Sequence, residues 1–279
     1  MIRVALVGSG ERLTAVRHLL KAGGAGVVEG DDAAKLAADV VFIDVSATDL
    51  RATIRRLRPT PADRVVFASR GLVGATGQRF SEIVEEESAC VRVGALAGPL
   101  LLGEIERGAP CAVLIASAYA DVGRVVHGAL RSPVCQVYQT EDLTGTELAQ
   151  ALVEVVCAAL GAARGLGAGV GLQALAVARG VAEGAQLFVR VGGQARTFSG
   201  LAGVGELIAA ASIPDHPALR RGLALARGES DPGLVDLCDA LLRRAEDLPI
   251  TQGVRAVASG QRRAQDVLRE MLEREPLDR

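Results

Sequence analysis

The chain has 279 residues, 49% of them hydrophobic, which is enough for one large buried core or two smaller ones. Its formal net charge of −2 argues against nucleic acid or an anionic membrane surface as the main partner. The N-terminal sequence MIRVALVGSG reaches a glycine turn without the features of a signal peptide, and we expect a cytoplasmic protein.

Short apolar runs alternate with stretches of helical spacing in the first half of the chain. Residues 2–8 (IRVALVG) enter a glycine turn that is followed by LTAVRHLLKAG, which is typical of a strand, a turn and a helix. Further strand-like runs lie at residues 26–32, 40–45, 64–69, 91–96, 111–117 and 134–140. Buried strands that alternate with helices predict a mostly parallel sheet covered on both faces, an α/β fold.

The second half has a different character. From about residue 143, strand-like runs nearly vanish, and long Ala/Leu/Val/Gly segments predict packed helices up to the C-terminus. TFSGLAGVGELI (197–208) is the one interruption, and we interpret it as a loop that leads into a helix. We therefore predict two domains, residues 1–142 and 143–279, with the boundary near Thr144–Gly145.

Residues 152–171 (LVEVVCAALGAARGLGAGVG) are long and apolar enough to be considered as a membrane span. Glu154, Arg164 and the glycines at the end of the segment argue against that interpretation. A central helix that is buried on all sides and ends in a glycine-rich turn explains the pattern better. We expect no membrane span.

The cysteines do not form a metal-binding pattern. Their spacing lacks the CxxC pairs of a zinc site, so we expect no metal and small buried thiols in a reducing compartment. They are Cys90, Cys111, Cys135, Cys157 and Cys238.

The turn after the first strand, GSGERLTA, carries part of a dinucleotide-binding fingerprint. Gly8 permits a tight turn, and Gly10 lets the backbone approach a pyrophosphate at a helix N-terminus. The third glycine of GxGxxG is replaced by Leu13, which would crowd the contact between helix and strand. The site is therefore either a weak dinucleotide site or the decayed site of a Rossmann-type fold.

An acidic residue about 20 positions after the fingerprint would bind the ribose and favour NAD(H) over NADP(H). The sequence offers Glu29, Asp31 or Asp32 for this role. The full set of candidate cofactor-binding residues is Gly8, Ser9, Gly10, Glu11, Arg12, Glu29, Ser46 and Arg70.

Five segments, in order along nearly the whole chain, carry motifs of one family. They are FASRGLVGATGQ (67–78), AGPLLLGEIERGAP (97–110), VARG (177–180), SGLAGVGELI (199–208) and LPITQGV (248–254). Together they resemble the NAD(P)-dependent glycerol-3-phosphate dehydrogenases. The resemblance implies a Rossmann-type N-terminal domain, an all-α C-terminal domain of the 6-phosphogluconate-dehydrogenase-like type, a site in the cleft between them, and a homodimer.

In that family, a lysine on the central helix of the second domain assists the interconversion of dihydroxyacetone phosphate and glycerol 3-phosphate. An alignment without gaps places this lysine at Val153, its neighbouring asparagine at Glu154 and a second asparagine at Gly171. The phosphate-binding arginine-asparagine pair falls on Pro217 and Ala218. The sequence has no lysine after Lys35, so a local shift of the alignment cannot restore the catalytic group.

Two family positions keep the type of their side chain, because Glu206 replaces an aspartate and Arg70 replaces a lysine. His216 could donate a proton, or it could be a histidine of an ordinary loop. Arg220 and Arg221 could bind a small phosphorylated metabolite or belong to a solvated helix face.

Three interpretations stay open at this point. The chain could be a family member that has lost ordinary turnover, which we favour because the catalytic lysine position is Val153. It could also be an active NAD(P)H-dependent reductase with a different proton donor or substrate. The missing lysine makes an ordinary member with a misplaced alignment the weakest of the three.

Overall fold

The computed structural model describes residues 1–28, 32–74, 76–213 and 216–273. The chain divides into two compact units. The N-terminal unit comprises Met1–Gly71 and Gln78–Glu147, and the helical unit comprises the described residues of Leu72–Gly77 and Leu148–Arg279. The domain boundary that we predict at residues 142/143 stays a prediction.

The N-terminal unit contains a seven-stranded sheet, with the strand order β2-β1-β3-β4-β5-β6-β7. The strands are β1 (Arg3–Gly8), β2 (Gly26–Val28), β3 (Val40–Asp44), β4 (Arg64–Phe67), β5 (Arg92–Ala97), β6 (Cys111–Ala116) and β7 (Cys135–Thr140). Neighbouring strands are parallel except for β5 and β6, which confirms the predicted mostly parallel sheet. Because β2 and β3 lie on opposite sides of β1, the strand order reverses between β1 and β3.

Helices connect these strands, as expected for parallel pairing. They are α1 (Glu11–Ala22), α2 (Asp32–Leu36), α3 (Ala47–Leu57), α4 (Phe80–Glu87), α5 (Leu102–Glu106) and α6 (Ala120–Leu130). The middle of the sheet is covered on both faces, since β3 is buried from Val40 to Ile43. A continuous apolar run such as VVFI is typical of a strand in this position.

The helical unit follows the last strand. Its helices are α7 (Leu143–Gly165, whose first turn belongs to the N-terminal unit), α8 (Val170–Val191), α9 (Ala195–Ser199), α10 (Glu206–Ser212), α11 (Arg220–Ala226), α12 (Pro232–Leu242), α13 (Pro249–Ala258) and α14 (Ala264–Glu273). A π-type turn, Leu201–Gly205, precedes α10, and a 3-10 turn, Pro217–Leu219, precedes α11. Within the described ranges every strand lies before residue 141, so the predicted change from α/β to all-α structure is confirmed.

Helix α7 contains most of the apolar segment that raised the question of a membrane span. It is long enough to cross a membrane, with a mean hydropathy of 1.4, but 83% of its most apolar window is buried inside the protein. This burial is typical of a core helix.

Glycines allow two helices to approach α7 closely. A Cβ atom at Gly180 of α8 would lie 2.6 Å from the methyl groups of Val156, and one at Gly222 of α11 would lie 2.0 Å from the carbonyl oxygen of Ala158. Only a residue without a side chain fits at such distances. The small residues of this unit therefore have a packing role.

Candidate functional site

The turn between β1 and α1 has the geometry that its glycines predict. Gly8 ends β1 with φ +106°, and a Cβ atom there would lie 2.0 Å from the carbonyl oxygen of Asp44. Gly10 precedes the first turn of α1 in an extended conformation and has no side chain to cap the helix. Ser9 and Glu11 are exposed beside it. The backbone N–H groups at the start of α1 therefore lie at the carboxyl edge of the sheet, where Rossmann-type folds bind phosphate.

The carboxylate of Asp44 caps this helix. Asp44 is the last residue of β3, and its Oδ2 accepts a hydrogen bond from the backbone N–H of Leu13 at 3.0 Å. A Cβ atom at Gly10 would lie 2.0 Å from the same oxygen, so the carboxylate packs directly against the glycine. Asp44 is not among the candidate residues that the sequence predicts. Its only signal is an acidic residue at the end of a strand that neighbours β1.

The side chain of Arg12 extends to the ends of two further strands. Its Nε donates to the carbonyl oxygen of Ala68 at 2.6 Å, just after β4. Nη2 donates to Leu96 at 3.0 Å and Nη1 to Gly98 at 3.4 Å, at the end of β5. Arg12 thus satisfies backbone carbonyls at the carboxyl edge of the sheet with its side chain.

Leu13 occupies the position of the missing third glycine and is only 3% exposed. Its side chain belongs to the core of the N-terminal unit together with Val4, Val16 and Phe42. Helix α1 still contacts both β1 and β3. Leu13 therefore packs into the apolar core while α1 keeps its contacts with the two strands.

The remaining cofactor candidates of this unit lie outside the β1–α1 turn, and two of them form hydrogen bonds with residues close by. Ser46 caps α3, since its Oγ accepts from the backbone N–H of Asp49 at 3.2 Å. Arg70 is half-buried in the loop after β4. Asp32 is paired with Arg56, whose Nη1 lies 2.8 Å from both carboxylate oxygens, and with Lys35 at 3.2 Å.

Glu29 and Asp31 lie outside the described residues. Asp32 is therefore the one member of the predicted ribose-binding group with a described position, and its charge is offset by two cations.

Val153, which the ungapped alignment places at the position of the family's lysine, lies in α7 and is only 1% exposed. The adjacent Glu154 accepts from Nη1 of Arg221 at 3.2 Å. Arg221 also binds Asp231 through two bonds, Nε to Oδ2 at 2.7 Å and Nη2 to Oδ1 at 2.8 Å. These bonds from Arg221 hold the pKa of Asp231 below its usual value.

The ion-pair group of Glu154, Arg221 and Asp231 gives one of the paired arginines a structural role. Two carboxylates already neutralise Arg221, which makes it a structural cation of the helical unit. Arg220 is exposed on the first turn of α11, as expected for a solvated helix face. Phosphate binding by Arg220 and Arg221 stays a prediction.

Other candidates of the helical unit occupy separate elements. Glu206 begins α10 and is 1% exposed, whereas Gly171 lies in the first turn of α8 with open space around it. His216 is 4% exposed, and its Nδ1 accepts from the backbone N–H of Ala218 at 3.2 Å. This bond lies at the start of the turn Pro217–Leu219.

The buried Glu183 explains the late family motif in structural terms. Its carboxylate accepts from the backbone N–H groups of Ile250 and Thr251 and from Oγ1 of Thr251, at the N-terminus of α13. Burial raises the pKa of Glu183 to about 7, although these bonds act in the opposite direction. The PIT segment therefore joins α8 to α13.

No group of three or more metal-ligating side chains is present within the described ranges.

The family model described as NAD-dependent glycerol-3-phosphate dehydrogenase N-terminus matches residues 4–122, and the model of the C-terminus matches residues 142–269. Glycerol-3-phosphate dehydrogenase [NAD(P)+] of Janthinobacterium sp. (strain Marseille) is 33% identical over 255 residues, which cover 86% of this chain and 77% of that protein. The enzyme of the same name from Moorella thermoacetica is 34% identical over 228 residues, or 81% of this chain and 67% of that protein.

The crystal structure of glycerol-3-phosphate dehydrogenase from Coxiella burnetii has a TM-score of 0.89 at 23% identity. The match covers 98% of this chain and 99% of that chain, which shows the shared fold.

Proposed function

Because the chain belongs to the NAD-dependent glycerol-3-phosphate dehydrogenase family, we propose that it is a member that has kept the fold and lost the family's ordinary reaction. Reduction of a ketone builds negative charge on its oxygen, and a positioned proton donor or cation must stabilise that charge. The proposal concerns whether this chain can supply such a group.

The observation that carries the proposal is the environment of Val153. An isopropyl group that is 1% exposed can neither donate a proton nor stabilise an anion. Its neighbour Glu154 is negatively charged and bound to Arg221. The only lysines of the sequence, Lys21 and Lys35, belong to the N-terminal unit. Loss of a positioned proton donor costs about 10²–10⁴-fold in rate.

The substrate's phosphate would also lack its expected partners. Pro217 and Ala218 carry no charge, and Arg221 is neutralised by Glu154 and Asp231. A small phosphorylated metabolite is therefore a weaker candidate ligand than the family membership alone suggests.

The family implies a nicotinamide dinucleotide, and the residues around the β1–α1 turn do not fit one as they are arranged. A pyrophosphate would require the N–H groups at the start of α1 and space beside Gly10. The carboxylate of Asp44 occupies both, since it packs on Gly10 and bonds to Leu13. We therefore expect dinucleotide binding to be weak or absent. Any residual preference should be for NADH over NADPH, because Glu29 and Asp31 would repel a 2′-phosphate.

The test is consumption of NADH or NADPH, followed by absorbance, with micromolar protein and saturating dihydroxyacetone phosphate. We expect no measurable turnover. Turnover above about 1 s⁻¹, which lies in the ordinary range of enzymes, would show that another residue does the work of the lysine. His216 and Glu206 would then be the first residues to replace.

A second candidate function is that of a reductase with a different proton donor or substrate. Glu206 favours it, because this carboxyl group keeps the family's residue type and is buried at the start of α10. A panel of ketones and imines assayed with both reduced cofactors tests this function. Turnover that is lost in Glu206→Gln but retained in the exposed-site control Glu229→Gln would support it.

We also infer a homodimer in the cytoplasm. The family resemblance supports the dimer, and the five free thiols are compatible with a reducing compartment. Light scattering coupled to size-exclusion chromatography measures the mass directly. A peak at the monomer mass of 28.8 kDa would contradict the dimer.

A further inference from the structure

The strand order of the sheet reverses between β1 and β3. Open α/β sheets bind their ligands at such a point, where the connections leave the sheet in opposite directions. In this chain, Gly8 ends β1 and Asp44 ends β3, and the two residues pair in register. The side chain at position 44 therefore lies at the place where a ligand would bind.

The side chain of Asp44 occupies this position itself. Oδ2 accepts from the N–H of Leu13, the third residue of α1, at 3.0 Å. Around Gly10, the Cβ position would lie 2.0 and 2.8 Å from the two carboxylate oxygens. A negative charge at a helix N-terminus is stabilised by the helix dipole, so the carboxylate has the same favourable environment that a phosphate would seek.

We propose that Asp44 is a specificity-determining residue that closes the diphosphate position of this fold against dinucleotides. Its carboxylate is a covalently attached anion that uses the helix N-terminus itself. A bound pyrophosphate would have to displace it, and the two anions would repel each other at short distance. The glycines at positions 8 and 10 keep the turn, but they make room for an aspartate.

Two further observations describe the surroundings of Asp44 and supply a control for its charge. The opposite end of β3 is flanked by Asp39, whose Oδ2 accepts from the backbone N–H of Arg3 at 2.7 Å, so one strand carries a carboxylate at each end. Arg12, two residues from Gly10, donates to the carbonyls of Ala68 and Leu96. Its guanidinium therefore belongs to the strand ends at β4 and β5, where it helps to fill the same edge of the sheet.

The experiment measures binding of NADH and of ADP by calorimetry to the full chain and to three variants. Asp44→Asn removes the charge and keeps an oxygen that can accept from Leu13. Asp44→Ser offers a hydroxyl of the kind preferred at helix N-termini, and Asp44→Ala opens the most space. Asp39→Asn is the matched control, because it removes the same charge from the other end of the same strand.

We expect the wild type and Asp39→Asn to bind both ligands weakly or not at all. Each Asp44 variant should bind at least about tenfold more tightly, as expected when a like charge a few ångströms away is removed. In Asp44→Asn, NADH and ADP should gain affinity in parallel, since both carry a diphosphate.

Two results would overturn the assignment. One is micromolar binding of NADH by the wild type. The other is that the folded Asp44 variants bind NADH and ADP no more tightly than Asp39→Asn does. This result includes the case in which none of these variants binds either ligand. The readout is affinity rather than turnover. Unchanged affinities would therefore contradict the role of Asp44 and leave the proposed loss of the family reaction standing.

Discussion

The proposed loss of the family reaction depends on the residue at position 153. Leu152 and Val155, on either side of Val153 and Glu154 in α7, are fully buried. The carboxylate of Glu154 is directed into the ion-pair group with Arg221 and Asp231. The local environment therefore suits an apolar side chain and would not stabilise an ammonium group.

We predict that Val153→Lys alone does not produce reduction of dihydroxyacetone phosphate. In the proposed loss of function, several groups that act together are missing, and the effects of such groups are not additive. Burial of the unpaired ammonium group should also destabilise the protein by roughly several kcal/mol. The measurements are cofactor consumption and the thermal midpoint. Val153→Met, which adds volume without charge, is the control and should lose only about 1–3 kcal/mol, which is typical of overpacking. Turnover in the lysine variant would contradict the prediction.

The ion-pair group gives a second prediction at this scale. Arg221→Met keeps most of the apolar stem but removes the two bonds from Arg221 to Asp231, which keeps its bond from the N–H of Leu234. We expect a loss of about 1–3 kcal/mol in the free energy of unfolding. Glu154→Gln should cost less than about 1 kcal/mol, because this half-buried pair has one contact and Asp231 still holds the arginine. Urea unfolding measures the free energy of unfolding of both variants. Equal losses would show that Glu154 stabilises the protein more than its single contact implies.

At the scale of elements, the helical unit depends on close approach of helices to α7. Gly222 of α11 lies against the carbonyl of Ala158, so that any Cβ atom would have to push backbone apart. Gly171, by contrast, is in the first turn of α8 with no atom within 4 Å of its Cβ position. The two glycines therefore have different physical roles.

We predict that Gly222→Ala destabilises the protein by about 1–3 kcal/mol, the usual cost of overpacking. Gly171→Ala should be neutral or stabilise it by up to about 1 kcal/mol, because alanine favours helix and meets no neighbour here. Chemical denaturation of the pair tests the contact between α7 and α11. A stable Gly222→Ala protein would mean that the two helices can separate without loss.

For the whole molecule, buried carboxyl groups couple stability to pH. Burial raises the pKa of Glu183 from 4.5 to about 7, and burial raises the pKa of Glu147 as well. Between pH 4.5 and about 7, folded Glu183 keeps a proton that the unfolded chain releases. Its contribution to stability is therefore fully present below pH 4.5 and is lost as the pH rises through about 7.

We predict that the free energy of unfolding falls as the pH is raised through this window, by up to about 3 kcal/mol from Glu183. Glu183→Gln, which cannot ionise, should flatten that dependence. The variant should also be less stable at the acidic end, because its amide cannot accept from both Ile250 and Thr251. Urea unfolding at several pH values measures both effects, and an unchanged slope in the variant would contradict the assignment to Glu183.

The sequence alone was sufficient for the architecture. Apolar runs such as residues 40–45 identify buried parallel strands, because strands covered on both faces need side chains that avoid water throughout. After residue 142 the short strand-like runs give way to long Ala/Leu/Val/Gly segments, which predict packed helices. The absence of the family's lysine is also evident from sequence, because the chain contains no lysine after Lys35 that another alignment could place at position 153.

Only the tertiary structure decided which charges are available to a ligand. Asp44 lies 34 residues from Gly10 and meets it only because β3 pairs with β1, and an acidic residue at the end of a strand does not by itself indicate that its carboxylate caps α1. Glu154, Arg221 and Asp231 are likewise distant in sequence, and their mutual neutralisation depends on how α7, α11 and α12 pack. A charge acts over a few ångströms, whereas hydrophobic periodicity is a local property of the chain, so the pattern predicts elements and packing determines the chemistry.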